Sequence, residues 1–113
     1  MSPIQIFPRY KLVMTYDVRP EALAIYQHFI VNEFVPTLQD LSLYMLAVWE
    51  TAYGPYPSRQ VEFVSESLEE VQDALLDDRW ALLEGELRNF VRNYNRKIIP
   101  FRHGFQLVSR APR

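Results

Sequence analysis

The chain has no cysteine, only three glycines and no apolar run that approaches the length of a membrane span. Without cysteine there is no disulfide framework and no thiolate to serve as metal ligand or nucleophile, which fits a reducing compartment. The glycines, at 54, 85 and 104, are too scattered for the loops that cradle phosphates or dinucleotides, and no serine sits in a nucleophile-elbow pattern. His28 and His103 are far apart, and no carboxylate pattern supplies ligand spacing, so neither a metal site nor a cofactor is expected. Apolar stretches are broken by Glu, Asp, Asn or Pro well short of the roughly 20 residues a span needs. The start, Met-Ser-Pro-Ile-Gln-Ile-Phe-Pro-Arg, lacks a basic segment followed by an apolar signal core. The expectation is a cytoplasmic protein with no membrane partner. Charge of one sign is also lacking: the net charge of -2 argues against a nucleic-acid partner, whose electrostatic footprint is basic.

What is present is a chain of 113 residues, 49% of them hydrophobic, enough for one domain with its own core. Residues 42–53 carry the strongest signal, because they read as a strand with no apolar–polar alternation. Leu43, Met45, Ala47 and Trp49 fall on one face and Tyr44, Leu46 and Val48 on the other, so both faces require cover. Residues 10–18 form an earlier strand, and Arg19-Pro20-Glu21 starts a helix that Pro36 ends or kinks near Val35. Gly54-Pro55-Tyr56-Pro57-Ser58 makes a turn into a third strand over residues 59–65. Ser67-Leu68-Glu69-Glu70 has the spacing of a capping box. The following helix bends near Asp77-Asp78 and continues through Trp80, Leu83, Leu87, Phe90 and Tyr94 at spacings of three and four, until Pro100 closes it. On that helix Arg88, Arg92 and Arg96 stack as a positive stripe, a solvated face or, more sharply, an anion site. Phe101 to Val108 is the last strand.

The order strand, helix, strand, strand, helix, strand is that of an α+β, ferredoxin-like βαββαβ domain. It has a four-stranded antiparallel sheet with both helices on one face. Residues 1–113 form a single domain, with flexible ends expected at 1–8 and 109–113. The helix-free face carries Tyr and aliphatic side chains whose exposure would exceed what a monomer usually tolerates, so a homodimer through that face is expected.

Several stretches then point to a family. They are Asn32-Glu33-Phe34-Val35-Pro36-Thr37-Leu38, Leu46-Ala47-Val48-Trp49-Glu50-Thr51, Ser67-Leu68-Glu69-Glu70 leading to Trp80-Ala81-Leu82-Leu83, and Lys97-Ile98-Ile99-Pro100. With them, nearly the whole chain resembles the dimeric α+β barrel superfamily, most of all its NIPSNAP-type and related uncharacterised bacterial members. The resemblance implies a two-fold dimer and a cleft between sheet and helices as the site. The superfamily includes cofactor-free quinol-type monooxygenases, haem-degrading enzymes, isomerases and decarboxylases. Haem-degrading members combine an Asn, a Trp and a haem-ligating His. Here the first strand has no Asn and no helical His follows Trp80, so that activity is not carried over.

Glu33 is the sharpest anomaly: at about 100° per residue it shares a stripe with Ala22, Tyr26, Phe29 and Ile30. A carboxylate there finds a partner, reaches water at the helix end, or acts as a general base in the cleft. His103 shares a strand face with Phe101, Phe105 and Leu107 and is either a satisfied core histidine or a proton shuttle. His28 lies on the opposite side of its helix from Glu33 and belongs to the surface or an interface. Tyr16, Tyr44, Trp49 and Trp80 line a pocket for a small hydrophobic or aromatic ligand, or simply fill the core. Three functions compete: a ligand-binding homodimer, a cofactor-independent monooxygenase or isomerase using Glu33 and His103, and an interaction module with no ligand. A sheet–helix layer packed solid favours the module.

Overall fold

Residues 3–51, 58–101 and 106–109 are described by the computed structural model. Strand β1 (Pro3–Ile6) precedes β2 (Tyr10–Val18), whose alternation puts Leu12, Met14, Tyr16 and Val18 into the core and Lys11, Val13, Thr15 and Asp17 on the opposite face. A 3-10 turn with Pro20 at its start opens α1 (Leu23–Phe29), which runs through a π-helical turn (Ile30–Phe34) into α2 (Val35–Asp40). Pro36 therefore kinks the helix without ending it. Proline lacks the N–H of an ordinary turn and its ring crowds the carbonyl four residues back. The wider turn, closed by the Val35 N–H on the Ile30 carbonyl, relieves both problems. The helix stops at a Schellman arrangement. Ser42 has φ 66°, its N–H donates to Gln39 (3.1 Å), and the Leu43 N–H donates to Leu38 (2.9 Å).

Strands β3 (Tyr44–Thr51) and β4 (Ser58–Ser65) follow, then α3 (Leu68–Leu76), α4 (Asp78–Arg88), β5 (Val91–Pro100) and β6 (Gln106–Ser109). Half of the expected capping box forms: the Glu70 N–H donates to Ser67 at 3.1 Å, while the Glu70 carboxylate accepts from the Ser65 hydroxyl at 2.8 Å. Asp77 separates α3 from α4 by accepting from the Arg79 N–H at 2.8 Å.

The main sheet has the order β3-β4-β2-β5 with every neighbouring pair antiparallel, and the helices lie on the face that carries Leu12, Met14, Val61 and Phe63. This is the α+β, ferredoxin-like βαββαβ arrangement. Strands β1 and β6 form a separate two-stranded ribbon. Among the described residues no helix is long and apolar enough to cross a membrane.

The structure departs from the expected elements in three places. Residues 91–100 are the last strand of the sheet, not the continuation of a helix: α4 ends at Arg88, and Asn93, at φ 55°, adds a residue where β5 shifts register against β2. The extra residue puts Val91 and Tyr94 on one face at a spacing of three, which imitates a helical stripe. A second register shift, between Met45 and Ala47, divides β3 so that Met45 and Val48 face the helices while Tyr44, Ala47 and Trp49 face away. Finally, residues 3–6 and 106–109 pair with each other, where loose ends and a strand from Phe101 to Val108 were expected. The turn expected at Gly54 to Pro57 lies outside the described residues.

Candidate functional site

The layer between sheet and helices is filled. Tyr16 and Trp80 are each 2% exposed, and Trp80 stacks edge-on to Phe34 with ring centroids 5.8 Å apart. Phe34 in turn meets Phe29 and Phe63. At one end of this layer the Tyr16 and Tyr26 hydroxyls are hydrogen-bonded to each other, and the Arg59 guanidinium lies 5.2 Å from the Tyr26 ring and 3.6 Å from Glu50. Burial pushes the Tyr16 phenol far up, and the neighbouring Tyr26 adds to it. Burial likewise raises Tyr26, partly offset by its hydrogen bond to Tyr16 and by Arg59. Both phenols are thus held neutral as hydrogen-bonding core groups.

The helix-free face is different at its two ends. At one, Ile6 and Phe101 close over Val64, with Tyr44 and Leu46 packed against them. At the other, Trp49 on β3 is 62% exposed. Between them lies a depression of about 140 Å³ lined by Lys11, Val13, Thr15, Gln60, Glu62, Asn95, Lys97 and Ile99. The antiparallel register explains how these residues meet. Val13 lies opposite Glu62 on β4 and Lys97 on β5, and Thr15 opposite Gln60 and Asn95. Val13 is only 3% exposed, so the longer side chains around it close over the floor.

Glu62, 6% exposed, is the electrostatic centre of this face. Its carboxylate accepts from the Lys11 ammonium at 2.8 Å and from the Gln60 amide at 2.6 Å, with a further hydrogen bond from Trp49. Burial alone would raise its pKa, but the donors and the Lys11 charge outweigh burial and hold the carboxyl below the usual carboxylate range. Lys11 also stands 4.7 Å above the Phe101 ring.

The structure does not gather the six expected site residues. Tyr16 and Trp80 are core residues on the helix side, whereas Tyr44 and Trp49 are on the opposite face. Glu33 is exposed: the π-helical turn adds a residue, so Phe34 takes the inward position after Tyr26 and Phe29. His103 lies outside the described residues. His28 is exposed, its ring Nδ1 3.2 Å from the Asn32 amide. Arg88, Arg92 and Arg96 form no stripe. Arg88 stacks on Tyr94 from the end of α4, Arg96 donates to Glu84 at 2.8 Å, and Arg92 is opposite Asp17 on the other side of β5. The residues that the sequence reading missed are the polar ones around Val13. Their signal was the outward half of the alternation in β2 and β4. Among the described residues no group of acidic or histidine side chains is arranged to hold a metal ion.

The topology and the two unlike sheet faces define a ferredoxin-like α+β domain. Solved structures of NIPSNAP family proteins share this fold. A NIPSNAP family protein with unknown function from Agrobacterium tumefaciens strain C58 is similar, with 17% identity over 85% of this chain and 91% of that one and a TM-score of 0.62. A second from the same strain has 14% identity over 85% of this chain and 88% of that one, with a TM-score of 0.65. An uncharacterised NIPSNAP domain protein from Burkholderia xenovorans has 8% identity, covering 80% and 91% of the two chains, with a TM-score of 0.61. No family model and no curated protein matches the chain by sequence.

Proposed function

We propose that the chain is an interaction module that pairs with a second copy of itself through the helix-free sheet face. The observation that carries this reading is Trp49, an indole 62% exposed on a face whose far end is already closed by Ile6 and Phe101. A large aromatic side chain left open beside polar groups suits the centre of a protein interface. Outside the internal Lys11–Glu62 pair the face carries both signs of charge, Lys97 and Asp17, so a two-fold pairing has opposite charges to bring together. The filled layer around Tyr16 and Trp80 supports a module over an aromatic-ligand cleft between sheet and helices. Light scattering at micromolar concentration tests the pairing. The expected mass is twice the 13.4 kDa of the chain, falling to the single-chain value for Trp49→Glu. A monomeric wild type overturns the reading.

A further inference from the structure

We propose that the depression around Val13 binds a small monocarboxylate, its oxygens held by Lys97, Asn95 and Lys11 and its short apolar tail set against Ile99 and the Val13 floor. The free hydrogen-bonding capacity of the lining is mostly donor. Both Glu62 oxygens already accept, from Lys11 and from Gln60. The Lys97 ammonium, the Asn95 amide and the Thr15 hydroxyl have no partner among the described residues. Lys11 spends one of its three N–H bonds on Glu62, leaving others to share. Two ammonium groups against one carboxylate leave the lining with one net positive charge, which matches a monoanion and falls short of a phosphate dianion.

Size and polarity narrow the class further. A volume of about 140 Å³ is close to the roughly 150 Å³ of a protein cavity that takes up benzene, which is room for an acid of about six heavy atoms or fewer, such as propionate or pyruvate. Ile99, which lies opposite Lys11 in the sheet, and the Val13 floor set apolar surface beside the donors, which a fully polar anion would leave poorly matched. Lys11 is held in place by Glu62, so its charge is positioned before the ligand arrives. The site does not depend on pairing, although a second copy on this face would enclose it.

The test is a titration of the full chain at constant ionic strength with propionate, pyruvate, the neutral isostere propionamide and inorganic phosphate. Backbone amide shifts and Trp49 fluorescence are followed. The expected result is saturable binding of the acids in about the millimolar range. The shifts should cluster at residues 11–15, 60–62 and 95–99, with no saturable response to propionamide. Lys97→Met should weaken binding about tenfold or more while the amide dispersion of the folded chain is retained, and Asn95→Ala should weaken it by a smaller factor. The proposal is overturned by absence of saturation with both acids, by equal binding of propionamide, by tighter binding of phosphate, or by an unaffected Lys97→Met. Light scattering on the same samples reads pairing separately. Binding to a monomer keeps the site and removes the pairing, whereas a dimer that ignores both acids removes the site alone.

Discussion

Replacing Lys11 by methionine would leave the Glu62 carboxylate 6% exposed with only neutral donors around it. The expected loss at pH 7 is about 1–3 kcal/mol, the scale of a charged hydrogen bond removed from a buried partner. Its pH dependence has a definite sign. The folded-state pKa of Glu62 is below its ordinary value, so the pair's contribution is complete above that value and disappears as pH falls through the folded-state pKa. Urea unfolding of wild type and Lys11→Met should therefore show a gap at pH 7 that narrows in acid. An equal gap at both ends would show that the ion pair is not the cause. The Tyr16–Tyr26 pair acts in the opposite range. Both phenols are raised, so the folded chain keeps protons that the unfolded chain releases near pH 10, and stability falls as pH rises beyond about 10. Tyr16→Phe should cost about 1 kcal/mol at neutral pH and flatten that alkaline decline, as thermal melts between neutral and alkaline pH would record.

At the level of elements, the π-helical turn and Pro36 form one unit. Deleting Val31, an exposed residue of that turn, would force an ordinary α-turn and bring the Pro36 ring against a carbonyl. The expected cost is about 3 kcal/mol, reduced by more than half when Pro36→Ala is made as well. Chemical denaturation of the single and double variants measures the coupling, and purely additive costs would refute it. The same kind of one-residue insertion explains what could be read from the sequence. Strands β2 and β4, the Ser67 cap and the break at Asp77 follow from spacing alone, and so does the order of the main elements. Glu33, Trp49 and Tyr94 did not. Each lies in or beyond a stretch with an added residue, the π-helical turn, the β3 register shift between Met45 and Ala47, and Asn93 respectively, and a periodic count goes out of phase from there. Around Val13 the polar side chains come from three strands, and their meeting depends on register, which no single segment reveals.

For the whole molecule, a second copy on the helix-free face would make folding and association a single equilibrium. The melting temperature of the wild type should then rise with protein concentration, and that of Trp49→Glu should not. Calorimetry across a hundredfold range of about 1–100 μM separates the cases; a concentration-independent transition in the wild type would remove the pairing. Two-residue spacing over residues 42–53 predicts that Tyr44, Leu46 and Val48 share one broadly apolar face. In the structure Val48 turns to the helix side, and Ile6 and Phe101 cover Tyr44 and Leu46 from opposite parts of the chain. What remains to be covered is smaller and more polar, centred on Trp49 and the Lys11–Glu62 pair.

The β1–β6 ribbon has a mechanical consequence. Its register runs from Pro3 opposite Ser109 to Ile6 opposite Gln106, so tension applied at residues 3 and 109 loads the first rung before any other. An antiparallel pair pulled in that way peels open rung by rung. The ribbon would yield at low force and lengthen the tether before strain reached β2 and β5, which pair along one side of the four-stranded sheet.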